Sequence, residues 1–193
     1  MADAPISGLI LAGGQGSRMG GRDKGLVAYQ GRALVDHVIA RIAPQVDELF
    51  ISANRNLDDY AQRGYRVIPD PLPDFQGPLA GVLAGLRAAG HPWMLIVPCD
   101  MPRLPRDLAA RLLAARAQRP VVIAEDGVRC HPAVMLMRTD LTEALEAYLA
   151  SGRRSVHGFQ ESAGFARARF EAAEMANINS LSDTGLCQPG DFT

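Results

Sequence analysis

The sequence contains three cysteines, a single lysine and no long apolar run. Its cysteines, Cys99, Cys130 and Cys187, lack a C-x-x-C spacing, which argues against a structural zinc site and favours a reducing compartment. The net charge of −1 provides no basic footprint for a nucleic acid. The longest apolar runs, such as that near Trp93, are too short to cross a bilayer, and the first residues lack a signal-peptide pattern. We therefore expect a cytoplasmic protein with no nucleic-acid partner and no membrane partner.

The scarcity of lysine draws attention to the one that is present. The chain has 20 basic residues, and all of them except Lys24 are arginines. A coding bias toward arginine would explain the general pattern, but it leaves the exception unexplained. Because an ammonium is a compact point charge and a guanidinium is a planar fork, the two are not equivalent where a single phosphate oxygen must be met. The sequence therefore indicates a functional role for Lys24.

Apolar runs that alternate with amphipathic stretches predict an α/β fold. The length of 193 residues fits one domain, which we expect over residues 1–187, with a flexible tail at 188–193. Strands that alternate with helices favour a single three-layer αβα domain with a mainly parallel, Rossmann-like sheet. The predicted strands are Ile6–Leu11, Glu48–Ser52, Tyr65–Ile68, Trp93–Val97, Pro120–Ala124, Ala133–Met137 and Phe165–Phe170. The predicted helices are Arg32–Ala43, Pro78–Ala89, Leu108–Ala117 and Leu141–Ala150.

A glycine-rich segment between Gly13 and Lys24 follows the first predicted strand. Glycines allow backbone amides to turn toward a ligand and phosphate oxygens to come close, while Arg18 and Lys24 add positive charge. The segment fits neither the P-loop nor the dinucleotide fingerprint, because Lys24 follows Asp23 and Met19 stands where the third glycine would be. We interpret it as a polyphosphate-binding loop; a glycine-rich surface turn is the alternative.

Polar residues also follow the later strands of the predicted sheet, at the edge where ligands bind in folds of this kind. Asp100 comes just after a buried strand and is well placed to hold Mg²⁺, although a helix cap or turn would also suit an aspartate. Asp70 could read a base, assist the metal or belong to a turn. Asn54 suits a base or a ribose, and equally a loop. Small residues from Gly77 to Gly81 allow a ligand or another helix to approach closely.

These segments together resemble the molybdenum cofactor guanylyltransferases, a branch of the nucleotidyltransferase superfamily. The resemblance rests on motifs that occur in the family's order over nearly the whole chain. They are Leu11-Ala12-Gly13-Gly14, Arg18-Met19-Gly20-Gly21, Asp23-Lys24-Gly25-Leu26, Ala53-Asn54-Arg55, Asp70, Gly77-Pro78-Leu79-Ala80-Gly81, Pro98-Cys99-Asp100, His131-Pro132 and Asn177-Ile178-Asn179. The related cytidylyltransferases typically carry Leu-Ala-Ala-Gly at the loop start, where this chain has Gly13.

The resemblance implies a nucleotide-diphospho-sugar transferase type of fold and a Mg²⁺-dependent reaction. In that reaction GMP passes from GTP to the molybdenum-molybdopterin cofactor and pyrophosphate is released, with proteins that deliver or accept the cofactor as further partners. The implied catalytic residues are Arg18, Lys24 and Asp100, with Asp100 as the metal ligand. The implied GTP-binding residues are Leu11, Ala12, Gly13, Gly14, Lys24, Asn54, Asp70 and Asp100. The implied cofactor-binding residues are Gly77, Gly81, Arg154, Asn177 and Asn179, although Arg153 stands beside Arg154 and competes for the same role.

Two other functions stay open at this stage. The chain could be a related nucleotidyltransferase that uses CTP or acts on a sugar phosphate, because the glycine-rich loop alone does not select a base. It could also be a non-catalytic module that binds GTP. The joint presence of Arg18, Lys24 and Asp100 argues against the second alternative, because binding alone would not need all three.

Overall fold

The secondary structure alternates between strands and helices as the sequence predicts. A computed structural model describes residues 4–12, 23–70 and 77–178. Its strands are β1 (Ile6–Leu11), β2 (Ala28–Tyr29), β3 (Arg32–Ala33), β4 (Glu48–Ser52), β5 (Arg66–Ile68), β6 (Trp93–Pro98), β7 (Val121–Glu125), β8 (Cys130–Arg138) and β9 (Phe165–Arg169). Its helices are α1 (Leu34–Ile42), α2 (Leu57–Ala61), α3 (Pro78–Ala88), α4 (Leu108–Ala114), α5 (Thr142–Ala150) and α6 (Val156–Ala163).

Seven of the strands form one mixed, mainly parallel sheet in the order β5-β4-β1-β6-β8-β7-β9. Strand β1 lies between β4 and β6 and is parallel to both, whereas β8 runs antiparallel to β6 and to β7. The chain moves outward from β1 through β4 to β5 and then returns to β6 on the other side of β1. This reversal creates a topological switch point at the carboxyl end of β1, where α/β proteins bind their ligands.

Helices cover both faces of the sheet, and alternate residues along each strand supply two separate apolar cores. In β1, Ile10 belongs to the core beneath α1, α2 and α4, whereas Leu9 belongs to the core beneath α3, α5 and α6. Both side chains are fully buried, as expected for a parallel strand that is covered on two faces. The predicted three-layer αβα architecture is therefore confirmed.

Helix α3 packs unusually close to the sheet because glycine occupies two of its sheet-facing positions. A Cβ atom placed on Gly85 would lie 2.6 Å from Leu9 Cδ2, and one on Gly81 would lie 2.4 Å from Ser52 Oγ. A larger residue at either position would therefore force the neighbouring side chains or the helix to shift. The helix thus lies directly against β1 and β4, the strands that lead into the switch point.

The sequence misses three short elements. Helix α1 begins at Leu34 rather than at the predicted Arg32, because Arg32 and Ala33 pair with Tyr29 and Ala28 in a two-stranded hairpin. The five-residue helix α2 is too short to show helical periodicity. Helix α6 contains Gly158 and buries only Phe159 and Gln160, so its apolar pattern is weak.

The burial of Leu9 makes a testable contribution to stability. Leu9→Ala removes a fully buried side chain beneath α3, and we expect the free energy of unfolding to fall by about 2–5 kcal/mol because a cavity replaces it. The matched control is Leu57→Ala, since Leu57 is 41% exposed and its loss should cost less than about 0.5 kcal/mol. Chemical denaturation measures both values. Equal losses in the two variants would contradict the assignment of Leu9 to the core.

Candidate active site

The carboxyl ends of β1, β4, β5 and β6 are aligned by backbone hydrogen bonds that continue beyond the strands. Ala12 N donates to the Ser52 carbonyl at 2.8 Å, Cys99 N to the Leu11 carbonyl at 3.1 Å, and Ala53 N to the Ile68 carbonyl at 3.2 Å. These bonds hold the residues that follow the four strands at one level. The sheet therefore brings the predicted residues Leu11, Ala12, Asn54, Asp70 and Asp100 to one edge, as the sequence predicts.

Lys24 and Asp100 form the central contact of this edge. The Lys24 Nζ atom lies 2.5 Å from Asp100 Oδ2, across 76 residues of sequence. The two side chains are 24% and 15% exposed, so the pair is shielded from water without being sealed from a ligand. An ammonium and a carboxylate held together in this way provide one group for a phosphate and one for a metal ion.

Asp23 anchors the short 3₁₀ turn, Lys24–Leu26, from which Lys24 projects. Its Oδ1 atom accepts a hydrogen bond from Gly25 N at 3.2 Å and one from the Tyr60 hydroxyl at 2.5 Å. Its Oδ2 atom accepts a third from Asn56 Nδ2 at 3.0 Å. The side chains of Asn56, just before α2, and of Tyr60, within α2, therefore fix the start of the turn, and Asp23 caps it.

Tyr60 is a site-supporting residue that the sequence does not reveal. It is fully buried, and its hydroxyl fills the space beside Gly25, where a Cβ atom would lie only 2.3 Å away. Burial raises the pKa of the Tyr60 hydroxyl, and the hydrogen bond to Asp23 raises it further. The hydroxyl is therefore neutral and acts as a donor to Asp23. No periodicity or motif marks this tyrosine in the sequence, because its role depends on a contact 37 residues away.

Asn54 and Asp70 bind each other through two hydrogen bonds. Asn54 Nδ2 donates to Asp70 Oδ2 at 2.6 Å, and the Asp70 backbone N donates to Asn54 Oδ1 at 2.8 Å. Ser52 Oγ donates to the second oxygen of Asp70 at 3.2 Å. Since each primary amide carries two N–H groups, one N–H of Asn54 is still available to a ligand within the described contacts. The pair thus links the loop after β4 to the loop after β5.

Glycine is favoured at the two ends of the Gly77–Gly81 motif for different structural reasons. Gly77 has a φ of 81° and precedes α3, with Pro78 at the first helical position. Such a φ favours glycine. Gly81 lies inside α3, where a Cβ would meet Ser52 and come within 3.1 Å of Asp70 Oδ1. Gly81 therefore allows α3 to pack against the residues that hold Asp70, and its contact with a cofactor remains a prediction.

The predicted C-terminal motif reaches the site through its backbone. Ile178 N donates to the Asp100 carbonyl at 2.9 Å, and the Ile178 side chain packs with Val27, Tyr29 and Leu34. Asn177 is therefore next to a residue that touches Asp100. Arg154 lies at the C-terminal end of α5, where its guanidinium donates to the carbonyls of Leu149 and Arg153. The cofactor-binding roles of Asn177 and Arg154 remain predictions.

Four predicted site residues, Gly13, Gly14, Arg18 and Asn179, lie outside the described residues. Over the described ranges 4–12, 23–70 and 77–178, no group of three or more His, Cys, Asp or Glu side chains is placed to hold a metal ion. Burial raises the pKa of the Cys99 thiol, and the adjacent Asp100 carboxylate raises it further. His131 instead makes a 2.8 Å contact with Asp126 Oδ2. Within this same part of the chain, no helix is long and apolar enough to span a membrane.

Comparison with known proteins assigns the family. The model of the MobA-like NTP transferase domain matches residues 8–164. A molybdenum cofactor guanylyltransferase of Cupriavidus necator is 47% identical over 186 residues, which cover 92% of this chain and 94% of the relative. A molybdenum cofactor guanylyltransferase of Serratia proteamaculans is 42% identical over 180 residues, with 92% and 91% covered. The chain belongs to the molybdenum cofactor guanylyltransferase family.

Membership of this family confirms the resemblance seen in the motifs and makes the chain a nucleotidyltransferase of molybdenum cofactor biosynthesis. A solved structure supports the fold independently. The molybdopterin-guanine dinucleotide biosynthesis protein A of Archaeoglobus fulgidus superimposes with a TM-score of 0.76 at 20% identity, covering 93% of this chain and 95% of that one. The fold is thus retained where most of the sequence differs.

The Tyr60–Asp23 hydrogen bond has a stability effect that can be measured. Tyr60→Phe leaves a partly buried carboxylate oxygen without one of its donors, so we expect the free energy of unfolding to fall by about 1 kcal/mol. The matched control is Tyr65→Phe, since no hydrogen bond of the Tyr65 hydroxyl occurs in the described part of the chain. Denaturant unfolding distinguishes them, and an unchanged stability in Tyr60→Phe would refute the role given to this hydroxyl.

Proposed function

We propose that this chain transfers GMP from GTP to the molybdenum-molybdopterin cofactor and that Asp100 holds the Mg²⁺ ion of the reaction. The observation that carries the proposal is the Lys24–Asp100 pair at the carboxyl ends of β1 and β6. It places a point cation and a carboxylate together at the switch point of the sheet. The names of the relatives indicate that a guanylyl group is transferred and that the molybdenum cofactor is its acceptor.

The residues around Asp100 fit a magnesium ion that arrives with the nucleotide. Magnesium prefers oxygen ligands and is usually bound by one or two carboxylates, with phosphate oxygens and water completing its shell. Asp100 offers one such carboxylate, whereas the soft sulfur of the buried Cys99 beside it is a poor ligand for a hard ion. When bound, the metal would neutralise charge on the phosphates of GTP.

The proposed reaction needs positioning and charge more than it needs a strong base. An oxygen of the cofactor's terminal phosphate attacks the α-phosphorus of GTP, a new P–O bond forms, and the bond from the α-phosphorus to the β-phosphate oxygen breaks. Pyrophosphate then leaves with the two electrons of that bond. Because the attacking phosphate is already anionic, no residue has to remove a proton first.

Lys24 meets the negative charge of the phosphates in this proposal. Its ammonium forms an ion pair with Asp100, and a phosphate oxygen of the nucleotide would replace that carboxylate as its partner. Asp100 would then be available to hold the metal ion. The Asp23 cap keeps the base of Lys24 in place during this exchange, since it binds the turn and not the ammonium.

Asn54 and Asp70 are proposed to hold the guanosine part of the nucleotide. Their two mutual hydrogen bonds fix both side chains before a ligand arrives, which reduces the ordering cost of binding. Asn54 retains an N–H group for the ligand, and each carboxylate oxygen of Asp70 accepts one hydrogen bond and can accept another. We therefore assign direct contact with the nucleotide to both residues, each of which also orients the other.

Variants at the central pair test the proposal. Asp100→Asn keeps the shape but removes the charge, and Lys24→Ala removes the ammonium, so we expect pyrophosphate release from GTP and loaded cofactor to fall by about 10²–10³-fold in each. Lys24→Arg keeps a positive charge but misplaces it, and we expect a loss of about 10²-fold. The control is Asp140→Asn, which alters an exposed carboxylate paired with Arg138. Full turnover in a folded Asp100→Asn protein would refute the metal role.

A further inference from the structure

A polar cavity lies near the proposed nucleotide site. It has a volume of about 510 Å³ and is walled by the β2–β3 hairpin, by α1 and by the segment that follows Asp100. Four arginines line it: Arg32 and Arg41 from the hairpin and α1, and Arg103 and Arg106 from the opposite segment. Among the described residues that line it, neither Lys24 nor Asp100 is present.

The charge in this cavity is unbalanced. Among the described residues, no aspartate or glutamate lines it, and none of its four arginines forms an ion pair with a carboxylate. Elsewhere in the described part of the chain, six of the thirteen other arginines have an acidic partner within 4.0 Å. These six are Arg63, Arg87, Arg111, Arg129, Arg138 and Arg167. Like charges that converge on a concave surface repel one another and concentrate a field that attracts anions.

Packing and a hydrogen bond hold part of the cavity wall in place. Tyr29 is 6% exposed and packs with Val27, Leu34 and Ile178, while Pro102 is buried on the opposite side. The Nε2 atom of His37 lies 2.8 Å from the Tyr29 carbonyl. Because a carbonyl can only accept, this nitrogen carries the hydrogen and donates it, which fixes the imidazole ring in the wall. Tyr29, His37 and Pro102 therefore form a fixed base, while Arg32, Arg103 and Arg106 are exposed to solvent at the cavity.

We propose that this cavity binds a small phosphorylated anion with at least two negative charges, at a site separate from the one at Lys24 and Asp100. Guanidinium groups bind phosphate through paired, charge-assisted hydrogen bonds, and two opposed pairs of arginines suit a diphosphate. The volume falls within the range of small-molecule sites, about 300–1,000 Å³. A small ligand is favoured over an acidic protein segment because the charges face a concave pocket.

The cavity is physically connected to the proposed site through one packed layer. Tyr29 belongs both to the cavity wall and to the apolar cluster that contains Ile178, and Ile178 N donates to the Asp100 carbonyl. An anion that draws the arginines together would therefore act on the backbone next to Asp100. The ligand could be inorganic pyrophosphate, which is a product of the proposed reaction, or the diphosphate of a nucleotide. Both offer the same chemistry to the arginines.

Calorimetric titration tests the proposal in a Lys24→Ala background, which weakens the proposed nucleotide site. We expect pyrophosphate still to bind that protein, and to bind at least about tenfold more weakly when Arg41→Gln and Arg106→Gln are added. The matched control adds Arg87→Gln and Arg138→Gln, two half-exposed arginines that lie outside the cavity, and it should leave the affinity unchanged. Thermal unfolding of each variant verifies that it is folded.

A comparison of pyrophosphate with GDP identifies the source of the anion. Several outcomes would overturn the proposal. Equal affinities for pyrophosphate and GDP would assign recognition to the diphosphate group itself, and tighter binding of GDP would assign it to a nucleotide. Loss of all pyrophosphate binding in Lys24→Ala alone would refute the second site. Unchanged binding after the Arg41 and Arg106 substitutions would refute it as well, and so would arginine-dependent binding of a polyglutamate peptide without binding of pyrophosphate.

Discussion

The contact between Lys24 and Asp100 joins the two segments on which the site depends. One segment follows the glycine-rich stretch after β1 and the other ends β6, and the hydrogen bonds between these parallel strands bring them to the same level. Opposite charges 2.5 Å apart, each largely shielded from water, attract strongly and hold the two segments in register. A phosphate could replace Asp100 beside Lys24 and a metal ion could replace Lys24 beside Asp100, so the contact that orders the site also brings together the two groups that the proposed chemistry uses.

The groups around that pair are arranged so that they need little movement on binding. Asp23 is fixed by Tyr60, Asn56 and Gly25, and the Asn54–Asp70 pair is closed by two hydrogen bonds of its own. Helix α3 comes close enough to support this second pair only because Gly81 lacks a side chain. Binding residues that are held by neighbouring contacts lose less entropy when the ligand arrives. The packing behind the switch point therefore holds the binding residues in place before a ligand arrives.

Much of this arrangement could be predicted from the sequence, for reasons that are local. Apolar runs such as Ile6–Leu11 and Glu48–Ser52 have the bounds of β1 and β4, and parallel strands necessarily place the residues that follow them at one edge. The roles of Tyr60 and Ser52 could not be predicted, because each depends on a contact with a residue that is distant in the chain. The arginine cavity is hidden for a similar reason: Arg32 and Arg106 converge only after the hairpin and the segment after Asp100 have packed together. Because the chain has so many arginines, composition alone does not indicate which of them bind a ligand.

The transfer of an isotopic label is the most direct test of the central claim. The protein is incubated with Mg²⁺, molybdenum-loaded cofactor and GTP that carries a phosphorus label at either the α or the γ position, with labelled CTP in a parallel reaction. Our account predicts that the α label of GTP appears in the cofactor, that the γ label appears in pyrophosphate, and that CTP gives little of either. Transfer from CTP in preference to GTP, or binding of GTP without release of labelled pyrophosphate, would contradict it.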